Sequence, residues 1–202
     1  MKLVLVSQRV DFLAERGERR DALDQRLANF LAECGLLPIP VPNRREDVRK
    51  YFDELPQAAG VVLSGGNDLN DYGGDAPERD RTEARMQQEA MSRGMPVVGI
   101  CRGMQFLIHA DGGELCLVDG HVGAMHPVLG DGVKRSVNSF HRWGVKACPR
   151  GWEVAAVAQD GSVEYARRRD ASLWGVMWHP ERESVFAIED IALFKDVFSV
   201  TA

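Results

Sequence analysis

Within its first hundred residues the chain alternates four short apolar runs with helical patterns, and few architectures accept that order. The runs are residues 2–6, 36–41, 60–63 and 96–100, and each reads as a buried strand. After the first, Leu23, Leu27, Phe30 and Leu31 recur at helical spacing within residues 20–34, and Gly35 follows as a stop. Residues 47–55 read as a short helix. Asp80 and Glu83 have capping-box spacing for a helix reaching about residue 93, and residues 103–110 read as another. Strands parted by helices predict βαβ units, hence an α/β fold with a mostly parallel sheet covered on both faces.

Beyond Gly112 the pattern changes. Residues 114–118, 133–138, 152–158, 163–167 and 173–177 are short and strand-like, broken by Gly, Pro and Asp. A last helix is expected over 189–198, with Ala187, Ile191, Phe194 and Phe198 on one side. No repeat, low-complexity tract or linker divides the chain, so residues 1–202 are expected to form one domain, large enough to bury a core. The net charge of −5 argues against a nucleic-acid backbone as main partner. No apolar stretch approaches bilayer length, and residues 2–6 are too short for a signal-peptide core. Cys34, Cys101, Cys116 and Cys148 lie far apart without a C-x-x-C pair, which suits reduced thiols and a cytoplasmic location.

Three segments carry chemistry. Gly99-Ile100-Cys101-Arg102-Gly103 falls where a predicted strand gives way to a predicted helix, the setting of a nucleophile elbow with sulfur as the nucleophile. Such a turn exposes the thiol at a helix N-terminus, where free N–H groups and the helix dipole favour a thiolate. Trp178-His179-Pro180-Glu181 follows another predicted strand. There a histidine can exchange the thiol proton, and a carboxylate two residues on can orient it. Leu63-Ser64-Gly65-Gly66-Asn67-Asp68 closes the third strand, and its glycines, with the N–H of Arg102, can serve a developing oxyanion. Singly, these segments read equally well as a small buried cysteine, a surface loop and an ordinary Gly-Gly turn. Together they fall at strand carboxyl ends, where open α/β sheets bind ligands.

In this order and spacing, Leu63-Ser64-Gly65-Gly66, Gly99 to Gln105 and His179-Pro180-Glu181 resemble class I glutamine amidotransferase-like proteins. Ser64 to Asp68, Tyr72-Gly73, Arg79-Asp80, Gly112-Gly113-Glu114-Leu115 and Val137-Asn138-Ser139-Phe140-His141 resemble more closely the γ-glutamyl-γ-aminobutyrate hydrolase-like branch, peptidase family C26. The likeness is close over roughly residues 60–185. It implies a flavodoxin-like three-layer sandwich with a smaller antiparallel sheet. It also implies Cys101 as nucleophile, His179 as base and acid, Glu181 as its orienter, and a γ-glutamyl thioester hydrolysed in a second step. Gln105 would sit near the γ-glutamyl group, with Asn138, Ser139 and His141 lining the pocket. Arg142 and Trp143 depart from the residues usual after that histidine, which leaves the leaving group open: Arg142, Arg79 and Arg81 either reach an anionic one or are solvated surface.

The expected function is therefore a stand-alone hydrolase that frees glutamate from a small γ-glutamyl amine or a γ-glutamyl nucleotide amidate of the CDP-amidate type, needing no cofactor. The alternative is a glutaminase subunit passing ammonia to a separate synthase, its only macromolecular partner; a silent binding module on the same fold is a third reading. A homodimer is compatible with the sequence. His121, His126 and His141 lack an acidic or cysteine partner at a recognisable spacing, so no metal is expected. His109 reads as structural, and Glu164 as a packing or pocket residue.

Overall fold

Along the buried strands at residues 2–7, 61–63 and 97–100, neighbouring side chains divide between two core clusters. Val4, Val6, Val62, Val98 and Ile100 join one, and Leu5, Val61, Leu63 and Val97 the other. Successive strand side chains point to opposite faces, so these strands are apolar on both, as a sheet between two helical layers requires. The computed structural model describes residues 1–130 and 133–200. Its first half contains β1 (Lys2–Ser7), β2 (Arg9–Leu13), β3 (Glu18–Ala22), α1 (Gln25–Glu33), β4 (Leu36–Val41), α2 (Val48–Glu54) and β5 (Val61–Leu63). Then come α3 (Pro77–Ser92), β6 (Val97–Ile100), α4 (Arg102–Ala110), β7 (Cys116–Leu117), β8 (Val122–Gly130), β9 (Val133–Phe140) and β10 (Trp143–Gly144). The last elements are β11 (Glu153–Ala158), β12 (Val163–Arg168), β13 (Leu173–Val176) and α5 (Ile188–Val197).

The main sheet has the order β4-β1-β5-β6-β13-β12-β11-β8-β9. It is parallel from β4 to β13 and antiparallel from there to β9. The antiparallel strands thus extend the central sheet, and the separate small sheets are the ribbons β2–β3 and β7–β10. Helices α1 and α5 cover one face, where Phe30 meets Phe194 edge to face at 4.9 Å. Phe52, Met86, Met104 and Leu107 of α2, α3 and α4 cover the other.

Three expectations change. Helix α1 starts at Gln25, because the Asp24 side chain accepts the Arg26 N–H at 2.9 Å while residues up to Ala22 belong to the β2–β3 hairpin. Helix α3 starts at Pro77, so Asp80 and Glu83 lie inside it and turn toward arginines instead of capping. Strand β8 was not expected, since Gly123, Pro127 and Gly130 interrupt its apolar pattern. Among the described residues no helix is long and apolar enough to cross a membrane.

Candidate active site

Strands β5, β6 and β13 run side by side in parallel, so the segments that leave their carboxyl ends meet at one edge. At the end of β6 the backbone turns through Cys101, with φ 50° and ψ −107°, before α4 begins. A non-glycine residue held there costs about 1–3 kcal/mol, and such strain persists only where its surroundings impose it. The surroundings here are tight. A Cβ at Gly99 would lie 2.4 Å from the Gly103 carbonyl carbon, and one at Gly103 would lie 2.2 Å from the Leu63 carbonyl oxygen. The Cys101 N–H donates to the Val176 carbonyl at 2.7 Å, which ties the elbow to β13.

Three residues beyond β13, His179 is buried beside the elbow, and its Nδ1 lies 2.6 Å from Glu181 Oε1. Pro180 opens the single turn that carries Glu181 back under the ring. Burial pulls the imidazole pKa down. The charge of the Cys101 thiolate and its hydrogen bond, followed by those of Glu181, outweigh that and hold it up at about 10. The peptide of His179 is fixed from behind. Asn138 Oδ1 accepts its N–H at 2.9 Å, and Asn138 Nδ2 donates to its carbonyl at 2.8 Å and to Glu183 at 2.6 Å.

The Ser64–Asn67 loop faces the same ring: a Cβ at Gly65 would lie 2.6 Å from His179 Cε1. The fully buried guanidinium of Arg79 donates to the carbonyls of Ser64 at 2.5 Å, Gly65 at 3.1 Å and Gly66. Across each peptide plane N–H and C=O point in opposite directions. Drawing the Ser64 and Gly65 carbonyls toward Arg79 therefore turns the N–H groups of Gly65 and Gly66 away from it. Arg79 pairs with Glu83 at 3.0 Å, and Glu83 with Asp80 also holds the buried Arg102 side chain. One ion-paired cluster thus underlies both the glycine loop and the residue after Cys101. On the far side Asn67 grips Val10 of β2 through two 2.9 Å hydrogen bonds.

These groups open into a cleft of about 390 Å³ lined by Gly66, Cys101, Arg102, Gln105, His141 and His179, with Arg9, Asp68, Phe140, Arg142 and Arg182 around them. Gln105 and His141 converge on the Trp143 carbonyl, at 2.7 and 3.0 Å. Asn138 and Ser139, expected at the substrate, lie behind the wall: Asn138 holds His179, and the Ser139 hydroxyl donates to the His121 carbonyl at 2.7 Å. Arg79 is neither solvated nor free to reach a leaving group, and Arg81 borders a different hollow beside α4. Arg9 and Arg182 escape a reading of motifs, although Arg9 lies just past the carboxyl end of β1 and Arg182 adjoins Glu181. Arg182 stacks on Phe140 at 4.6 Å, and Arg142 pairs with Asp68.

The chain matches the Peptidase C26 family over residues 6–127 and 120–181. It is 30% identical over 163 residues to a γ-glutamyl-CDP-amidate hydrolase of Campylobacter jejuni, covering 80% of this chain and 79% of that one. To a γ-glutamyl-γ-aminobutyrate hydrolase of Escherichia coli O157:H7 it is 27% identical over 208 residues, covering 84% and 82%. A Thermoplasma acidophilum protein described as a GMP synthase subunit has a crystal structure of the same fold, with a TM-score of 0.72, 21% identity and coverage of 98% and 95%.

Proposed function

Because the chain belongs to the peptidase C26 family, we infer that Cys101, His179 and Glu181 hydrolyse a γ-glutamyl amide whose leaving group carries phosphate. The chain is an enzyme of the γ-glutamyl amide hydrolase type. In the proposed reaction the Cys101 thiolate adds to the γ-carbonyl carbon, forming a C–S bond and moving the carbonyl electron pair onto oxygen. N–H groups of Gly65, Gly66 and Arg102 receive that oxyanion. The protonated His179 gives its proton to the departing nitrogen as the C–N bond breaks, leaving a γ-glutamyl thioester. Neutral His179 then takes a proton from water, whose oxygen attacks the thioester and frees glutamate and the thiolate. Glu181 keeps the imidazole oriented throughout.

The observation that carries the leaving-group assignment is the charge of the cleft. The protein bears a net charge of −5, yet Arg9, Arg142 and Arg182 border this opening, where Asp68 is the acidic lining residue; Arg142 pairs with it, Arg9 pairs with Asp11 at 2.8 Å, and Arg182 lies 3.9 Å from Glu181. The fourth arginine, Arg102, is neutralised from within by Asp80 and Glu83. A planar guanidinium recognises phosphate through paired hydrogen bonds and gives no comparable gain to a neutral alkylamine. A nucleotide amidate fits this rim, in line with the name of the Campylobacter jejuni relative. The four cysteines are unpaired, consistent with a cytoplasmic setting.

The test is glutamate release from glutamine, a small γ-glutamyl amine and a γ-glutamyl nucleotide amidate. The amidate should have the highest kcat/KM, and Arg182→Ala should lower that value about 10-fold or more while leaving the neutral amine within about 2-fold, since charge-assisted hydrogen bonds contribute ~1.5–3 kcal/mol. Preference for the neutral amine, unaffected by Arg182→Ala, would overturn the phosphate assignment. Turnover of glutamine alone, appearing only with an added synthase, would favour an ammonia-supplying role.

A further inference from the structure

Behind the wall of the cleft, strand pairing gathers His121, His126, His141 and Glu164 in the antiparallel half of the sheet. On spacing these histidines lack an acidic partner, and β12 supplies one. Glu164 is fully buried, and among the described residues neither of its carboxylate oxygens has a hydrogen bond; nor does either ring nitrogen of His126. A buried carboxylate without hydrogen bonds is costly unless a cation compensates it. The groups that face it are imidazoles. His121 Nδ1 lies 3.5 Å from Glu164 Oε1, His141 Nε2 3.6 Å from the same oxygen, and His126 Nε2 3.8 Å from Oε2.

We propose that His121 Nδ1, His141 Nε2 and Glu164 bind a divalent transition-metal ion of the zinc class. The two imidazole nitrogens are 3.3 Å apart, so the three ligand atoms form a triangle with edges of 3.3, 3.5 and 3.6 Å. Metal–ligand bonds of about 2.0–2.1 Å in a tetrahedron require edges of about 3.3–3.4 Å. Two imidazoles and one carboxylate suit zinc or its neighbours and are too poor in oxygen for calcium or magnesium.

The outer contacts orient the rings for this task. His141 Nδ1 lies 3.0 Å from the Trp143 carbonyl, so its N–H donates there and the Nε2 lone pair faces the cluster. His121 Nε2 lies 3.6 Å from Asp160 Oδ2, which leaves Nδ1 to face the cluster in the same way. Such partners behind ligating histidines fix tautomer and ring orientation. The ion joins the start of β8, the β9–β10 connection and β12, and fixes the His141 face that the cleft presents. It touches neither Cys101 nor His179, so its role is to hold the wall.

The experiment uses full-length Cys101→Ala protein, in which no thiolate beside His179 competes for metal. After chelator treatment it is titrated with Co²⁺ and then Zn²⁺. We expect one Co²⁺ per chain with the intense d–d absorption of a tetrahedral site, its displacement by Zn²⁺, and a higher Tm in Zn²⁺. Glu164→Gln and His121→Ala in the same background should abolish the absorption while circular dichroism reports the fold. Absence of stoichiometric uptake by the Cys101→Ala protein overturns the proposal, and so does uptake unchanged in either folded variant. Should those variants unfold, paramagnetically shifted ring protons in the Co²⁺-loaded Cys101→Ala protein decide: two or three imidazole ligands support the site, and one or none overturns it.

Discussion

His179 sits between Cys101 and Glu181, and each residue around it adjusts the same proton. Burial favours the neutral ring, whereas the Cys101 thiolate and Glu181 favour the imidazolium and hold its pKa up at about 10, above the ordinary 6.5. A raised value means that this histidine's contribution to stability is fully present below about pH 6.5 and is lost as pH rises toward 10. Imidazole resonances in an NMR titration should therefore show His179 protonated across neutral pH. In Cys101→Ala the midpoint should fall, because burial then meets only Glu181; an unchanged midpoint would contradict the coupling. Gly65→Ala tests the packing of the same ring. The added methyl strikes His179 Cε1, and a shift of about 1 Å should lower kcat about 100-fold with the fold retained by circular dichroism. Cys101, His179, Glu181 and the two glycines were legible because short local spacings carry them. Asn138 was not, since holding the His179 peptide depends on where β9 lies relative to the segment after β13. Arg79 was misread for a related reason: on a helix rich in charge a solvated arginine is the default, and only the fold shows it enclosed.

Between α3, α4 and the β5 loop, the Arg79–Glu83–Arg102–Asp80 cluster couples three elements that motif reading treats separately. Removing one member of a buried ion-paired group leaves an uncompensated charge, at about 3–5 kcal/mol. Arg102→Ala should lose that much in denaturant unfolding, through a lower midpoint at unchanged m. A loss below about 1 kcal/mol would show that water reaches the cluster. Asn138→Ala should lower kcat with little change in KM, because the residue grips His179 and is absent from the cleft wall. The parallel βαβ units were readable from apolar period. The β2–β3 hairpin was not, because Glu18–Ala22 is largely polar and exposed and Arg9–Leu13 buries only Val10, which leaves no apolar face to count. Capping-box spacing at Asp80 and Glu83 misled for the opposite reason: their carboxylates serve arginines across the fold.

Across the whole molecule, a nine-stranded sheet and two helical layers deliver three carboxyl-end segments to one edge and leave a positive opening in a negatively charged protein. The layer of α1 and α5 rests on Phe30, which is fully buried against Phe186 and Phe194. Phe30→Ala should destabilise the chain by about 3–5 kcal/mol in denaturant unfolding while the folded protein keeps its kcat, since the residue is remote from the cleft lining. The layered α/β class was visible in the order of runs, whereas the positive rim was not, because Arg9, Arg142 and Arg182 come from distant segments. Whether Cys101 breaks a γ-glutamyl amide bond is read from glutamate release by wild type and Cys101→Ala acting on a γ-glutamyl nucleotide amidate. Wild type should release glutamate, and the variant should lose at least about 1,000-fold, the scale on which nucleophile removal acts. Equal release by both proteins would contradict that role for Cys101.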